Sequence, residues 1–154
     1  MPQTKEGATR RTFIAGAALV SVLPFASARA TPEAMAAAIK EVVGDNPVRE
    51  GRVTLDLPPL IENGNAVPLA VSVESPMSEA DHVKAIHVFN EKNPQPHVFD
   101  ARLGPKNGRA AIATRIKLGD SQKIVAIVET SKGEFFSASA DVIVTLAACL
   151  EDIV

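Results

Sequence analysis

Side chains that could stack on ligands or form disulfides are scarce in this sequence. It has no tryptophan, no tyrosine, six phenylalanines and one cysteine, Cys149. So few aromatic rings leave little surface on which nucleic-acid bases or sugars could stack, and one cysteine excludes an intramolecular disulfide. Basic residues are not in excess either, with 16 lysines and arginines against 18 acidic residues. This balance argues against a nucleic-acid partner, which would need a basic surface.

Sequence motifs of common active sites are absent too. There is no glycine-rich phosphate loop ending in Lys-Ser or Lys-Thr, and no serine in a nucleophile elbow. The three histidines, His82, His87 and His97, do not follow a known metal-ligand spacing, and we expect His87 to be a core or rim histidine rather than a ligand. We therefore predict no catalytic residue, no metal site and no cofactor. The thiol of Cys149 remains as the candidate for covalent chemistry.

The first 30 residues have the pattern of an export signal. Arg10 and Arg11 form a twin-arginine pair, a short apolar run follows, and the small-residue sequence "ARA" at 28–30 offers a cleavage site. The apolar run contains Pro24 and is far shorter than the ~20 residues that a membrane-spanning helix needs. We predict a cleaved signal, residues 1–30, export to the periplasm by the twin-arginine route, and no membrane anchor in the mature protein.

The mature chain is predicted to open with one helix. Thr31 suits the N-cap, Pro32 suits the first helical position, and Gly44 suits the end. This predicts a helix from 32 to about 43, followed by a linker as far as residue 50.

Seven runs of β-type residues follow, separated by turns rich in Pro, Gly, Asn and Asp. The run "KIVAIVE" at 123–129 leaves neither face polar, as in a central strand that is covered on both sides or lies in a subunit interface. Seven short strands with such turns predict an all-β fold, an immunoglobulin-like antiparallel β-sandwich over residues 51–146. The predicted strands are 52–57, 66–73, 82–89, 97–103, 110–118, 123–130 and 135–146.

Cys149 lies in the predicted C-terminal tail, residues 147–154, with only five residues after it. An unpaired cysteine in an exported protein is buried, paired with another molecule, or reactive. Because chain ends are poorly ordered unless they are tied down, we expect this thiol to be exposed. An exposed thiol without a nearby base or metal suits an attachment point better than an enzyme nucleophile.

Three stretches carry a resemblance to a known family. They are "ENGNAVPLAVSVESPMSEADHVKAIHVFNEKNPQP", "GRAAIATRIKLGDSQKIVAIVETSKG" and "FFSASADVIVTLAAC". Together they closely resemble the SoxY family, the sulfur-carrier subunits of thiosulfate oxidation. The resemblance implies an immunoglobulin-like subunit that forms a heterodimer with a SoxZ-like chain. It also implies that Cys149 covalently carries sulfur intermediates between periplasmic Sox enzymes: a c-type cytochrome that links the thiol, a sulfate-releasing hydrolase and a sulfane dehydrogenase.

The sequence departs from this family at the carrier arm. Members end in Gly-Gly-Cys-Gly-Gly, whereas here Ala147 and Ala148 precede the cysteine and Leu150 begins a longer tail. Alanine lacks the positive-φ freedom of glycine. Three interpretations follow: a working carrier with altered partners, a paralogue without carriage that acts as a binding or assembly module, or an altered end of a once-standard carrier. The predicted function is a periplasmic sulfur carrier without catalytic activity of its own, with the non-carrying module as the alternative.

Overall fold

The computed structural model describes residues 30–149. The twin-arginine pair, Arg10 and Arg11, and the arm residue Leu150 lie outside the described residues.

One helix and nine strands make up the described chain, with 3-10 turns at Gly64–Ala66 and Pro105–Asn107. The helix, α1, spans Pro32–Val43. The strands are β1 (Val48–Glu50), β2 (Val53–Asp56), β3 (Leu60–Ile61), β4 (Val67–Val73), β5 (Val83–Asn90), β6 (His97–Arg102), β7 (Ala110–Ile116), β8 (Gln122–Thr130) and β9 (Phe135–Val144).

Helix α1 begins and ends where its capping residues predict. The hydroxyl of Thr31 accepts a hydrogen bond from the Ala34 amide at 3.2 Å, which satisfies one of the free amides of the first turn. At the other end, the Gly44 amide donates to the Lys40 carbonyl at 2.9 Å while Gly44 itself adopts φ +59°. A residue without a side chain reaches this left-handed conformation most easily, so the helix stops there.

The strands form two sheets. The larger has the order β1-β9-β8-β5-β6, with β3 also pairing along β9, and the smaller has the order β2-β4-β7. Strands β1 and β3 pair with β9 in parallel, whereas all the other pairings are antiparallel. This is an immunoglobulin-like β-sandwich, as the sequence predicts. The seven predicted strands correspond to β2 and β4–β9; β1 and β3 have only three and two residues, too few to show an alternating pattern.

The main core lies between the two sheets. Val67, Leu69 and Val71 of β4 pack there against the inner face of β8, which contributes Ile124 and Val128. The outer face of the larger sheet carries a second cluster, in which Met35 and Val43 of α1 cover Phe89, Ile127 and Phe135.

Strand β8 is therefore covered on both faces by its own chain. The sequence left open whether "KIVAIVE" is covered within the chain or by a subunit, and α1 provides the cover. The first of these two interpretations is confirmed for this face, because the helix buries it. Within residues 30–149, no helix combines the length and the apolarity needed to cross a membrane.

Candidate functional site

The chain after β9 is held to the sandwich by backbone hydrogen bonds. The Gly64 amide donates to the Leu146 carbonyl at 2.7 Å, and the Ala148 amide donates to the Leu118 carbonyl at 2.9 Å. The Leu118 amide in turn donates to the Gly64 carbonyl at 2.9 Å. We call these four residues, Gly64, Leu118, Leu146 and Ala148, the tail clasp. It joins the turn before β4, the loop after β7 and the beginning of the tail.

Glycine is required at the centre of the tail clasp. A Cβ atom at Gly64 would lie 2.2 Å from the Leu118 carbonyl oxygen and 2.8 Å from the Ala148 amide nitrogen. Both neighbours are backbone atoms that hydrogen bonds hold in place, so neither can rotate aside. Gly64 thus allows three chain segments to approach more closely than any residue with a side chain would permit.

A buried polar network holds the loop that supplies Leu118. The Asn93 amide group donates to the Lys117 carbonyl at 2.8 Å, and its side-chain oxygen accepts from the Gly119 amide at 3.1 Å. The same oxygen accepts from the side chain of Gln122 at 3.0 Å. Asn93 and Gln122 are both buried. Because leaving a buried polar group without a hydrogen-bond partner costs free energy, these bonds fix the conformation of the loop.

Cys149 comes directly after the last residue of the tail clasp. Ala148 is buried, whereas Ala147 and Cys149 are exposed. The exposure of the thiol agrees with the expectation from its position. The expected loose tail beginning at 147 differs from the structure, which ties the chain down as far as Ala148.

Sequence reasoning did not identify Gly64, Asn93 or Gln122. The stretch "ENGNA" around Gly64 has the composition of an ordinary turn, and nothing local reveals that two other segments approach it. For Asn93 and Gln122, the only available signal is that each amide side chain lies close to a predicted strand boundary, which does not predict burial.

Two of the histidines meet a carboxylate on the outer face of the larger sheet. His87 Nδ1 lies 2.5 Å from Asp100 Oδ1, and His97 Nε2 lies 2.7 Å from the same oxygen. We call His87, His97 and Asp100 the histidine cluster. Burial raises the pKa of Asp100, but the hydrogen bonds from the two imidazoles outweigh it and hold this pKa below its usual value. His82 lies elsewhere, with its Nδ1 at 3.0 Å from the Ser78 carbonyl oxygen.

A β-bulge brings the histidine cluster together. Asp100 of β6 pairs with His87 and His97 pairs with Phe89, so that the four residues 97–100 of β6 lie opposite the three residues 87–89 of β5. In a regular strand, residues 97 and 100 would face opposite sides of the sheet. The rim position of His87 fits the sequence expectation, because its side chain is 13% exposed. Its contact with His97 through Asp100 was not predicted.

The described structure therefore defines an immunoglobulin-like sandwich that presents a single exposed thiol where its C-terminal strand leaves the sheet. The family follows from comparison with known proteins. The model of the family described as sulfur oxidation protein SoxY matches residues 39–149, and the chain belongs to the SoxY family.

Solved structures share this fold. The sulfur carrier protein SoxY from Chlorobium limicola f thiosulfatophilum is 24% identical with a TM-score of 0.61, over 73% of this chain and 96% of that one. Superoxide reductase (neelaredoxin) from Ignicoccus hospitalis is 16% identical with a TM-score of 0.54, over 79% of this chain and 99% of that one. Superoxide reductase from Nanoarchaeum equitans is 13% identical with a TM-score of 0.52, over 62% and 100%. No curated protein matches the chain.

Proposed function

We propose that this protein is a periplasmic sulfur carrier and that intermediates of sulfur oxidation are attached to the Sγ atom of Cys149. The observation that carries the proposal is the position of this thiol: it is exposed, and it directly follows the residue at which the tail clasp ends. Membership of the SoxY family supports the same role, since the solved relative from Chlorobium is described as a sulfur carrier protein.

Carrying sulfur intermediates requires little chemistry from this chain itself. Joining the thiolate of Cys149 to the outer sulfur of thiosulfate forms one S–S bond and releases two electrons, which the c-type cytochrome partner accepts. Within residues 30–149, Cys149 belongs to no group of three or more His, Cys, Asp or Glu ligand atoms. The partner enzymes supply the catalysis, and this chain supplies a thiol at a fixed place on a stable domain.

The tail clasp determines how far the thiol can reach. Hydrogen bonds fix the backbone up to Ala148. Only about one residue therefore separates the thiol of Cys149 from the fixed part of the domain. An extended residue spans at most about 3.3–3.6 Å. A client enzyme must therefore bring its active site close to the surface of the sandwich, unless the tail clasp opens first.

A partner subunit fits the exposed apolar residues near the tail. Leu60 and Ile143 are paired between β3 and β9 and are 56% and 60% exposed, and Leu146 is 61% exposed. Adjacent exposed apolar side chains, such as those of Leu60 and Ile143, are typical of association surfaces when they belong to a larger apolar patch. We propose that a SoxZ-like chain forms a heterodimer with this protein, and that the assembly reaches the periplasm by the twin-arginine signal of residues 1–30.

The alternative function is a SoxY-like binding or assembly module that no longer carries sulfur. The observation in its favour is the fixed root of the tail, together with alanines at positions where the family has glycines. Both features shorten the reach of Cys149.

Mass spectrometry of the intact protein distinguishes the two functions. The protein is isolated from cells that are oxidising thiosulfate, without reducing agent, beside a Cys149→Ser variant from the same cells. The carrier function predicts adducts of thiosulfate-derived mass that are absent from the variant. A bare thiol in every sample, from cells whose thiosulfate oxidation is active, would leave the binding module as the function.

A further inference from the structure

The histidine cluster offers three metal-binding atoms that converge from two adjacent strands. One ligand atom from each of His87, His97 and Asp100 lies within 4.8 Å of the other two. His87 Nδ1 and His97 Nε2 are the ring nitrogens that face Asp100 Oδ1. Two imidazoles and one carboxylate are a common ligand set for zinc and related ions. Bonds of about 2.0–2.1 Å place tetrahedral ligands roughly 3.3 Å apart, so a modest side-chain shift would bring the three atoms to a metal ion.

The side chains around the histidine cluster permit a small shift of this kind but prevent a large one. His97 and Asp100 have side chains that are 39% and 38% exposed, so an ion has access from solvent. The ring of His97 stacks on Phe89, with centroids 4.9 Å apart and planes inclined by 18°. Phe89 is itself buried beneath α1. His87 is almost enclosed, so two of the three ligands are held before an ion arrives.

The charge of the histidine cluster also distinguishes it from the other ion pairs of residues 30–149. Asp100 pairs only with histidines. Every other carboxylate in an ion pair there has a lysine or arginine partner: Asp45, Asp81, Asp120, Glu129, Glu134 and Asp141. Because an imidazole lacks the permanent charge of a lysine or arginine, Asp100 has no fixed cationic partner, which favours binding of a cation.

From this convergence of donors, their access and their charge, we propose that His87, His97 and Asp100 bind one divalent transition-metal ion of the zinc type. Water completes the coordination on the exposed side, as in sites with three protein ligands. The site lies on the outer face of the larger sheet and is independent of the proposed carriage by Cys149.

The environment of His87 limits the affinity of the histidine cluster for a metal ion. The Nε2 atom of His87 is buried and has no hydrogen-bond partner within the described residues. When Nδ1 binds a metal ion, the ring proton resides on Nε2, where ligating histidines normally find an acceptor. Loss of such a partner typically lowers metal affinity about 10- to 100-fold. We therefore expect an affinity for zinc in the micromolar range, weaker than that of structural zinc sites.

Calorimetric titration with Zn²⁺ tests the proposal in a Cys149→Ser background, which removes the thiol as a competing ligand. His87→Asn and His97→Gln are the informative variants, because each amide NH₂ lies near the replaced nitrogen and can still donate to Asp100. They preserve the hydrogen bonds but remove the metal-binding nitrogens. We expect one Zn²⁺ per chain in the background protein and at least tenfold weaker binding in each variant.

His82→Asn provides the matched control, since His82 lies outside the histidine cluster. It should bind Zn²⁺ like the background protein. Titration with Co²⁺ gives a second readout, because ligation by His87 and His97 produces visible absorption bands that both variants should lose. No Zn²⁺ binding below about 1 mM would overturn the proposal, and so would equal binding in all four proteins.

Discussion

The tail clasp and the histidine cluster both join residues that are distant in the sequence, but they do so with different atoms. The tail clasp uses backbone amides and carbonyls around Gly64, and it exists because one residue has no side chain. The histidine cluster uses side chains, and it exists because a bulge turns His97 and Asp100 to the same face. The tail clasp should therefore be sensitive to added side-chain bulk. The histidine cluster should instead be sensitive to the loss of charge or of donor atoms.

The largest effect is expected for Gly64→Ala. Its new Cβ would lie 2.2 Å from the Leu118 carbonyl oxygen, so the tail clasp must open or distort. Overpacking of this kind typically destabilises by about 1–3 kcal/mol. Chemical denaturation should show the loss, and hydrogen exchange should show faster exchange of the Ala148 amide than in the parent protein.

Gly104→Ala is the control for that change. Gly104 has φ −149°, and the nearest atom to its added Cβ is Asn107 Oδ1 at 4.0 Å. We expect its stability to change by less than about 0.5 kcal/mol, as for other surface substitutions. Equal stability of the two variants would mean that the tail clasp contributes nothing measurable.

An intermediate effect is expected for the reactivity of the thiol. Iodoacetamide should modify Cys149 in the folded protein, because the residue is exposed. A variant with glycine at positions 147, 148 and 150 and with residues 151–154 deleted should react a few-fold faster. The difference should be greater for a bulky maleimide, because glycine widens the conformational range of the backbone.

Single substitutions separate the contribution of the tail clasp to that reactivity. Ala148→Gly acts on a buried residue of the tail clasp, whereas Ala147→Gly acts on an exposed residue that does not belong to it. We expect the former to accelerate labelling more. Labelling that occurs only after unfolding would show that the thiol is inaccessible, and the carrier function would fail with it.

The smallest effect is expected for Asp100→Asn, and it depends on pH. The pKa of Asp100 is lowered in the folded protein, so its charge stabilises the fold above the unfolded-state pKa of about 3.9. That contribution is lost as pH falls below this value toward the folded-state pKa. Because the side chain is 38% exposed, screening keeps the difference at pH 7 under about 1 kcal/mol. Urea denaturation should show the parent more stable than the Asp100→Asn variant at pH 7, and a smaller difference between the two at pH 3.

Asp45→Asn is the comparison for this last change. Asp45 pairs with Lys40, but its side chain is 99% exposed. Its substitution should leave stability nearly unchanged at both pH values. An effect equal to that of Asp100→Asn would contradict the assigned role of the two imidazoles.

The sequence by itself determined the helix, the main strands and the family resemblance. Thr31 and Gly44 delimit α1 through local hydrogen bonds and φ preference, and the alternation in stretches such as Val53–Asp56 reflects burial of one face. These signals are local, because caps, turns and strand periodicity each act within a few residues. The single cysteine near the end of the chain is also visible without a structure.

Only the tertiary structure decided which distant groups meet. The pairing register with its bulge placed His97 and Asp100 on one face, and α1 closed the outer face of β8. The approach of Leu118 and Ala148 to Gly64 fixed the chain up to the residue before Cys149. Such contacts depend on strand register and on backbone distances across the fold, which no local pattern of residues specifies.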